Sequence, residues 1–360
     1  MEQQLREITV KGYTSIRDAR VELGALNVLV GANGSGKSNF VGALELLGRI
    51  VDERLQPVAR MSGGASQLLH DRSTRHIELG ISSDSNGYQA ILAPTRDDGL
   101  VFEKEIAVYR RPLGRESSKV LDRGHLETAL HRRAAEKNAD RSVERYVIDM
   151  LRGCRVYHFH DTSASAPVKG TGPTGDNLML QADAGNLAAV LRVMRDRSPS
   201  VFRQVEETIR SAAPFFGHFV LEPEGANDTV RLRWRHVDSD RVFSAHQLSD
   251  GTLRFMSLAA LLLDQSRLPA LVVLDEPELG LHPFAIVQLA EMLRAASTRG
   301  QVVVATQSVT LIDQMALSDL LVVERRHGAS TFERPQLDRL REWLDDYSVG
   351  ELAELERRAG

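Results

Sequence analysis

Gly31-Ala32-Asn33-Gly34-Ser35-Gly36-Lys37-Ser38 is the stretch on which the reading of this chain turns. It fits G-x-x-x-x-G-K-[ST], in which glycines let the backbone wrap tightly and aim several N–H groups at phosphate oxygens. Its flanks supply what that mechanism needs. Leu26 to Val30 is a short apolar run and reads as a strand. From Lys37 the apolar residues take helical spacing, at Phe40, Val41, Leu44, Leu47 and Val51. The helix N-terminus then adds its positive end to the cradle. Asn33, Gly34, Ser35, Gly36, Lys37, Ser38 and Asn39 are the expected nucleotide-binding residues, with Lys37 on the β- and γ-phosphates and Ser38 on Mg2+.

Further along, Leu271-Val272-Val273-Leu274-Asp275-Glu276-Pro277 sets two carboxylates at the end of an apolar strand. Ligands of open α/β sheets gather at the C-terminal ends of strands. Asp275 is expected to hold Mg2+ through water, and Glu276 to polarise the attacking water as a general base. Between the two motifs, Gln247-Leu248-Ser249-Asp250-Gly251-Thr252-Leu253-Arg254 precedes a helical run, with Ser249 or Asp250 as its N-cap.

Leu248-Ser249-Asp250-Gly251, the Asp275-Glu276-Pro277 strand end and Gly280-Leu281-His282-Pro283 together resemble the signature motif, Walker B and D-loop of ABC-type ATPases. The likeness is to the SMC, RecF and OLD-type heads of the AAA_21 group, whose opening strand and turn Lys11 to Ile16 also resembles. The resemblance runs from Glu7 to Glu324. It implies an α/β P-loop NTPase fold, an ABC-ATPase head with a mixed sheet, an antiparallel β lobe, a parallel core and a helical insertion. It implies ATP and Mg2+ as ligands, and an ATP-dependent homodimer in which Ser249 and Gly251 of one head touch the γ-phosphate held by the other. Gln307, in Ala305-Thr306-Gln307-Ser308, stands where the group usually carries a switch histidine. Its neutral amide can hydrogen-bond phosphate or water but holds no charge, so slow hydrolysis is expected. A Q-loop glutamine is not evident, and His160, Asp161 and Gln67 are its candidates.

Composition excludes several classes. With 360 residues, 42% hydrophobic and 26% charged, the chain reads as ordinary globular protein. A formal net charge of −4 rules out a globally basic nucleic-acid binder. One cysteine, Cys154, can form no internal disulfide, and a reduced, cytoplasmic setting is expected. The start carries no signal-peptide pattern, and no apolar run approaches the ~20 residues of a membrane span. No heptads intervene between Lys37 and Ser249, and residues 308–360 are too few for an appended Toprim nuclease, so a solitary head is expected.

The expected division is an N-terminal ATPase lobe at 1–110, a helical and β insertion at 111–245, a C-terminal ATPase lobe at 246–330 and a helical tail at 331–360. Lys104 to Arg155 carries 13 Lys and Arg against 8 Asp and Glu. Arg231, Arg233 and Arg235 would share one strand face, with Arg241 nearby. Glu333 to Arg358, with Trp343 and Tyr347, reads as an acidic docking tail. Two roles follow. One is DNA metabolism, repair or phage defence, with duplex DNA as partner. The other is an ATP switch acting on a separately encoded effector protein. A transporter ATPase would show the Q-loop glutamine and switch histidine that are not evident here.

Overall fold

The computed structural model describes residues 4–71, 73–110, 116–136, 142–224 and 228–335. These divide into two compact units. The first takes the chain up to Val156, then Pro269–Val273, then the part from Ala316 onward. The second takes Tyr157–Leu268 and Leu274–Met315.

The chain opens with β1 (Leu5–Tyr13), β2 (Ile16–Glu22) and β3 (Leu26–Val30). In β1, Ile8 and Val10 are buried while Glu7, Thr9 and Lys11 face outward, the period-two pattern of a half-covered strand. β3 is buried at every position, as a strand covered on both faces must be. Then come α1 (Lys37–Val51), α2 (Leu55–Met61) and α3 (Ala65–Leu68). α1 starts where the helical spacing predicts and buries Phe40, Val41, Leu44, Leu47 and Val51.

β4 (Ile77–Ser83), β5 (Asn86–Pro94), β6 (Leu100–Arg110) and β7 (Glu116–Asp122) continue the run of strands. They join β1 and β2 in one antiparallel sheet of order β2-β1-β4-β5-β6-β7. This is the expected antiparallel lobe. α4 (Leu130–Glu136), α5 (Val143–Arg152) and β8 (Cys154–Tyr157) follow. The start of α5 is set by Ser142, whose side chain accepts the Arg145 N–H as N-cap. Inside this unit Glu105 is fully buried, and its carboxylate gathers Tyr88 Oη at 2.7 Å, His125 Nε2 at 2.9 Å and the Ala129 N–H at 2.8 Å.

In the second unit, β9 (Thr171–Pro173) leads to α6 (Leu187–Arg197) and α7 (Pro199–Ala212). Next are β10 (Phe216–Val220), β11 (Thr229–Arg231), β12 (Arg233–His236) and β13 (Val242–Ser244). The strand expected to carry Arg231, Arg233 and Arg235 breaks at Leu232, and its halves join different sheets, β11 with β9 and β12 with β10 and β13. Arg231 therefore does not share a strand face with Arg233 and Arg235. α8 (Asp250–Leu263) is buried at every position from Leu253 onward, the mark of an internal helix.

β14 (Leu271–Asp275) straddles the division between the units. α9 (Pro283–Ser297), β15 (Gln301–Thr306) and α10 (Val309–Ile312) complete the second unit. β16 (Leu320–Arg326) and β17 (Ala329–Glu333) return to the first, where β16 pairs parallel with β3 and antiparallel with β17. That arrangement makes a mixed sheet. The tail expected to be helical from 331 begins instead as the end of β17. Residues 336–360, with Trp343 and Tyr347, lie outside the described residues.

Candidate functional site

In the first unit the glycine-rich turn runs from β3 into α1. Gly34 and Gly36 have φ of 78° and 116°, backbone that L side chains rarely adopt. A Cβ at Gly31 would stand 2.2 Å from the Val323 carbonyl oxygen, so only glycine fits there. Ala32, Asn33, Gly34 and Ser38 are exposed, whereas Ser35 and Lys37 are buried. α1 has no side-chain cap, so its first N–H groups lack that partner. Lys37 Nζ donates to the carbonyls of Gly31 at 2.7 Å and Ala32 at 3.1 Å, which folds the ammonium back over the turn.

The turn is held by residues that carry no motif. Ser330 Oγ donates to the Ser35 carbonyl at 2.6 Å and meets Ser15 Oγ at 2.7 Å. Asn39 Nδ2 donates to Ser15 Oγ at 2.7 Å, so this side chain is turned to the support of the loop. Neither Ser15 nor Ser330 was legible as part of the cradle, because nothing in the local sequence links positions 315 residues apart.

In the second unit the acidic strand end is built from several short segments. Glu276 has a φ of 43° as the chain leaves β14, and its N–H donates to the Ala305 carbonyl at 2.8 Å. Gln307, just past β15, donates from Nε2 to Glu276 Oε1 at 2.9 Å. The pair is brought together although 31 residues separate it in sequence. Asp275 Oδ1 is buried with no hydrogen-bond partner among the described residues. A buried, acceptor-only oxygen of that kind suits a hard cation or a water bound to one. Elsewhere, no cluster of three or more His, Cys, Asp or Glu able to hold a metal occurs among the described residues. Mg2+, which keeps most of its waters and takes one or two protein oxygens, needs no such cluster.

Ser249 is the N-cap of α8, accepting the Thr252 N–H at 3.2 Å and meeting Thr252 Oγ1 at 2.8 Å. A Cβ at Gly251 would stand 2.2 Å from the Gly280 carbonyl oxygen, so glycine lets the helix start press on the Gly280 turn. Sequence reasoning missed Arg254. It is buried on α8, donates from Nε to the Phe159 carbonyl at 2.9 Å, and its second nitrogen lies 3.4 Å from the His160 carbonyl. Burial pushes its pKa down, while Asp250 and Glu278 push it up.

Among the Q-loop candidates the three positions differ. Desolvation of the ring, then Arg254, lowers the pKa of His160, and the charges of Asp275 and Glu276 oppose that. His160 therefore feels the acidic strand end. Asp161 is turned into its own loop, where hydrogen bonds from Ser163 hold its carboxyl below the usual range. Gln67 lies on α3 in the first unit, beside the Gly63–Gly64 turn.

The profile described as "AAA domain, putative AbiEii toxin, Type IV TA system" matches residues 26–313. The chain belongs to the AAA_21 family. It is thus an AAA-type ATPase domain. No curated protein sequence matches it. Solved structures share its fold. One is an Smc head bound to the C-winged helix domain of ScpA, 16% identical with a TM-score of 0.58, covering 94% of this chain and 99% of that one. Another is the Smc head with an extended coiled coil from Pyrococcus furiosus, bound to the C-terminal domain of ScpA. It is 15% identical with a TM-score of 0.56, covering 95% of this chain and 99% of that one. A third, from Pyrococcus yayanosii with a coiled coil and joint, is 13% identical with a TM-score of 0.51, over 96% and 99% of the two chains. The architecture is that of an SMC-type ABC-ATPase head. Among the described residues no helix is long and apolar enough to cross a membrane.

Proposed function

We propose that this AAA_21 domain hydrolyses ATP slowly and uses the bound and hydrolysed states to switch a protein partner. The observation that carries the hydrolytic reading is the Gln307–Glu276 hydrogen bond at the strand end. A donor held on the carboxylate fixes its orientation, and a fixed carboxylate is what a general base must be to meet an attacking water.

Each residue has a defined part. The backbone N–H groups of Asn33 to Ser38 and the start of α1 bind phosphate oxygens. Lys37 exchanges its carbonyl acceptors at Gly31 and Ala32 for the β- and γ-phosphates. Ser38 in the first unit and Asp275 in the second each offer an oxygen that would suit Mg2+, and the ion when bound would neutralise developing phosphate charge. Glu276 accepts a proton from the attacking water while Gln307 orients it. A neutral amide in place of a histidine supports a low rate. Ser249 and Gly251 open α8, whose N-terminus suits an anion, and a second copy of the chain would supply one as its γ-phosphate. The domain would then dimerise on ATP.

The choice between DNA and a protein as the output rests on ion pairing. In the basic segment Lys119 pairs with Glu144 at 3.1 Å, Arg133 with Glu136 at 3.1 Å, Arg155 with Asp52 at 3.8 Å, and Arg132 with Asp122. Arg231 and Arg233 both reach Glu224, and Arg235 reaches Asp240. Arg141 lies outside the described residues. Cations held by local acids are poor phosphate ligands, so a protein effector is favoured. The Smc heads solved with ScpA domains support looking for one.

The test is ATP turnover with and without duplex DNA, together with DNA binding across a salt series. We expect no stimulation. Neutralising five phosphates would give a log–log salt slope of roughly −4.5, and the expected slope is flatter. DNA-stimulated turnover with that steep slope would move the output to DNA.

A further inference from the structure

Glu278 belongs to none of the motifs above, yet it is only 7% exposed, in the turn just after the acidic pair. A carboxylate is costly to bury unless it is hydrogen-bonded, so its partners indicate its use. Oε1 accepts the Thr306 hydroxyl. That hydroxyl accepts the Ser308 N–H at 3.0 Å. The residues on either side of Gln307 are therefore tied to one buried group, Thr306 directly and Ser308 through the Thr306 hydroxyl.

We infer that Glu278 is a positioning residue for hydrolysis, clasping Thr306 to Ser308 so that the Gln307 amide reaches Glu276. An exposed glutamine with free χ angles has no reason of its own to hold one rotamer. Here its backbone is fixed on both sides, by the Thr306 hydroxyl and by Ser308, which also caps α10. The other half of the clasp is equally fixed. Glu276 is bonded to Ala305 through its N–H, and its carbonyl accepts the Leu279 N–H at 3.2 Å. The base and its amide are thus held from two turns that meet at Glu278.

The chemistry of the group agrees with that role. Burial pushes the Glu278 pKa up, the Thr306 hydroxyl pulls it down, and the charge of Glu276 pushes it up again. Oε2 has no partner among the described residues. The acceptor Oε1, rather than a full negative charge, is what the clasp uses, so a glutamine should serve in its place.

The inference rests on the ATPase reading, and the experiment separates the two. Steady-state turnover is measured for the parent, Glu278→Ala, Glu278→Gln, Gln307→Ala and the Glu278→Ala/Gln307→Ala double variant. Glu278→Ala should lower kcat by roughly 10- to 100-fold, the cost of a misplaced catalytic group. The KM for ATP should stay within about twofold, because ground-state binding is untouched. Glu278→Gln should keep most of the parental kcat. In the Gln307→Ala background, Glu278→Ala should have no further effect, since it acts through the missing side chain. If Glu278→Ala does not fold, Thr306→Val opens the clasp from the other side and should give the same loss of kcat. Full turnover in the folded clasp variants overturns the inference, as does a further loss of about tenfold in the Gln307→Ala background. A parent with no turnover at all overturns the ATPase reading instead.

Discussion

Ser330→Ala removes one oxygen from the support of the phosphate cradle. Ser330 is 2% exposed, and its Oγ both donates to the Ser35 carbonyl at 2.6 Å and joins Ser15 Oγ at 2.7 Å. Alanine leaves the Ser35 carbonyl without this donor inside the fold, and leaves Ser15 with one contact fewer. Leaving a buried polar group unsatisfied costs about 1–3 kcal/mol. The Ser330 N–H to Ser15 carbonyl bond at 2.8 Å survives, so β17 should stay in place and the damage should fall on the loop. If all of it falls there, ATP affinity drops by roughly 5- to 150-fold, at 1.4 kcal/mol per decade. If it falls on the whole fold, Tm drops by about 2–4 °C per kcal/mol instead. Titration calorimetry with ATP and Mg2+, run beside thermal unfolding, reads both. The expected result is a weaker Kd with a small change in Tm. Unchanged Kd and Tm together would refute the claim that Ser330 holds the cradle.

Other substitutions address the remaining parts. Lys37→Ala should abolish ATP binding, because the ammonium folded into the turn is lost; calorimetry that finds parental affinity removes Lys37 from the site. Ser249→Asp should preserve the N-cap of α8, since aspartate caps as well as serine, yet block ATP-dependent dimerisation by repelling a γ-phosphate. Light scattering in a hydrolysis-deficient background checks this, and a normal ATP-bound dimer counts against a phosphate at that helix end. Gly251→Ala should also prevent dimerisation, by forcing the start of α8 off the Gly280 carbonyl 2.2 Å from the new Cβ; a dimer of parental affinity would show that this contact is dispensable.

The elements with a strong local pattern were legible in the sequence. β3 and α1 fall on the expected residues because a wholly apolar run and a helical spacing meet at a glycine turn. β2 was missed because its outward residues Arg17, Asp18, Arg20 and Glu22 mask the alternation. Pairs such as Lys11 with Asp18 justify it only once β1 is alongside. β17 was missed because the hairpin turns on His327 and Gly328, both at positive φ, and His-Gly lacks the usual asparagine or aspartate signal. The same limit applies to the site. Of the proposed site, the glycine-rich turn, the acidic pair and Gln307 announce themselves by motif. Ser15, Arg254, Glu278 and Ser330 are single polar residues whose roles come from partners distant in sequence. The strand arginines show the converse, since a shared face read from alternation vanished when Leu232 split the strand.

The most direct test of the account is Glu276→Gln, measured as phosphate release from ATP and Mg2+ beside ATP affinity by calorimetry. The account predicts parental affinity and turnover lowered by roughly 10²–10⁴-fold, the share of a positioned general base. Phosphate release at the parental rate, with ATP bound as before, would contradict it.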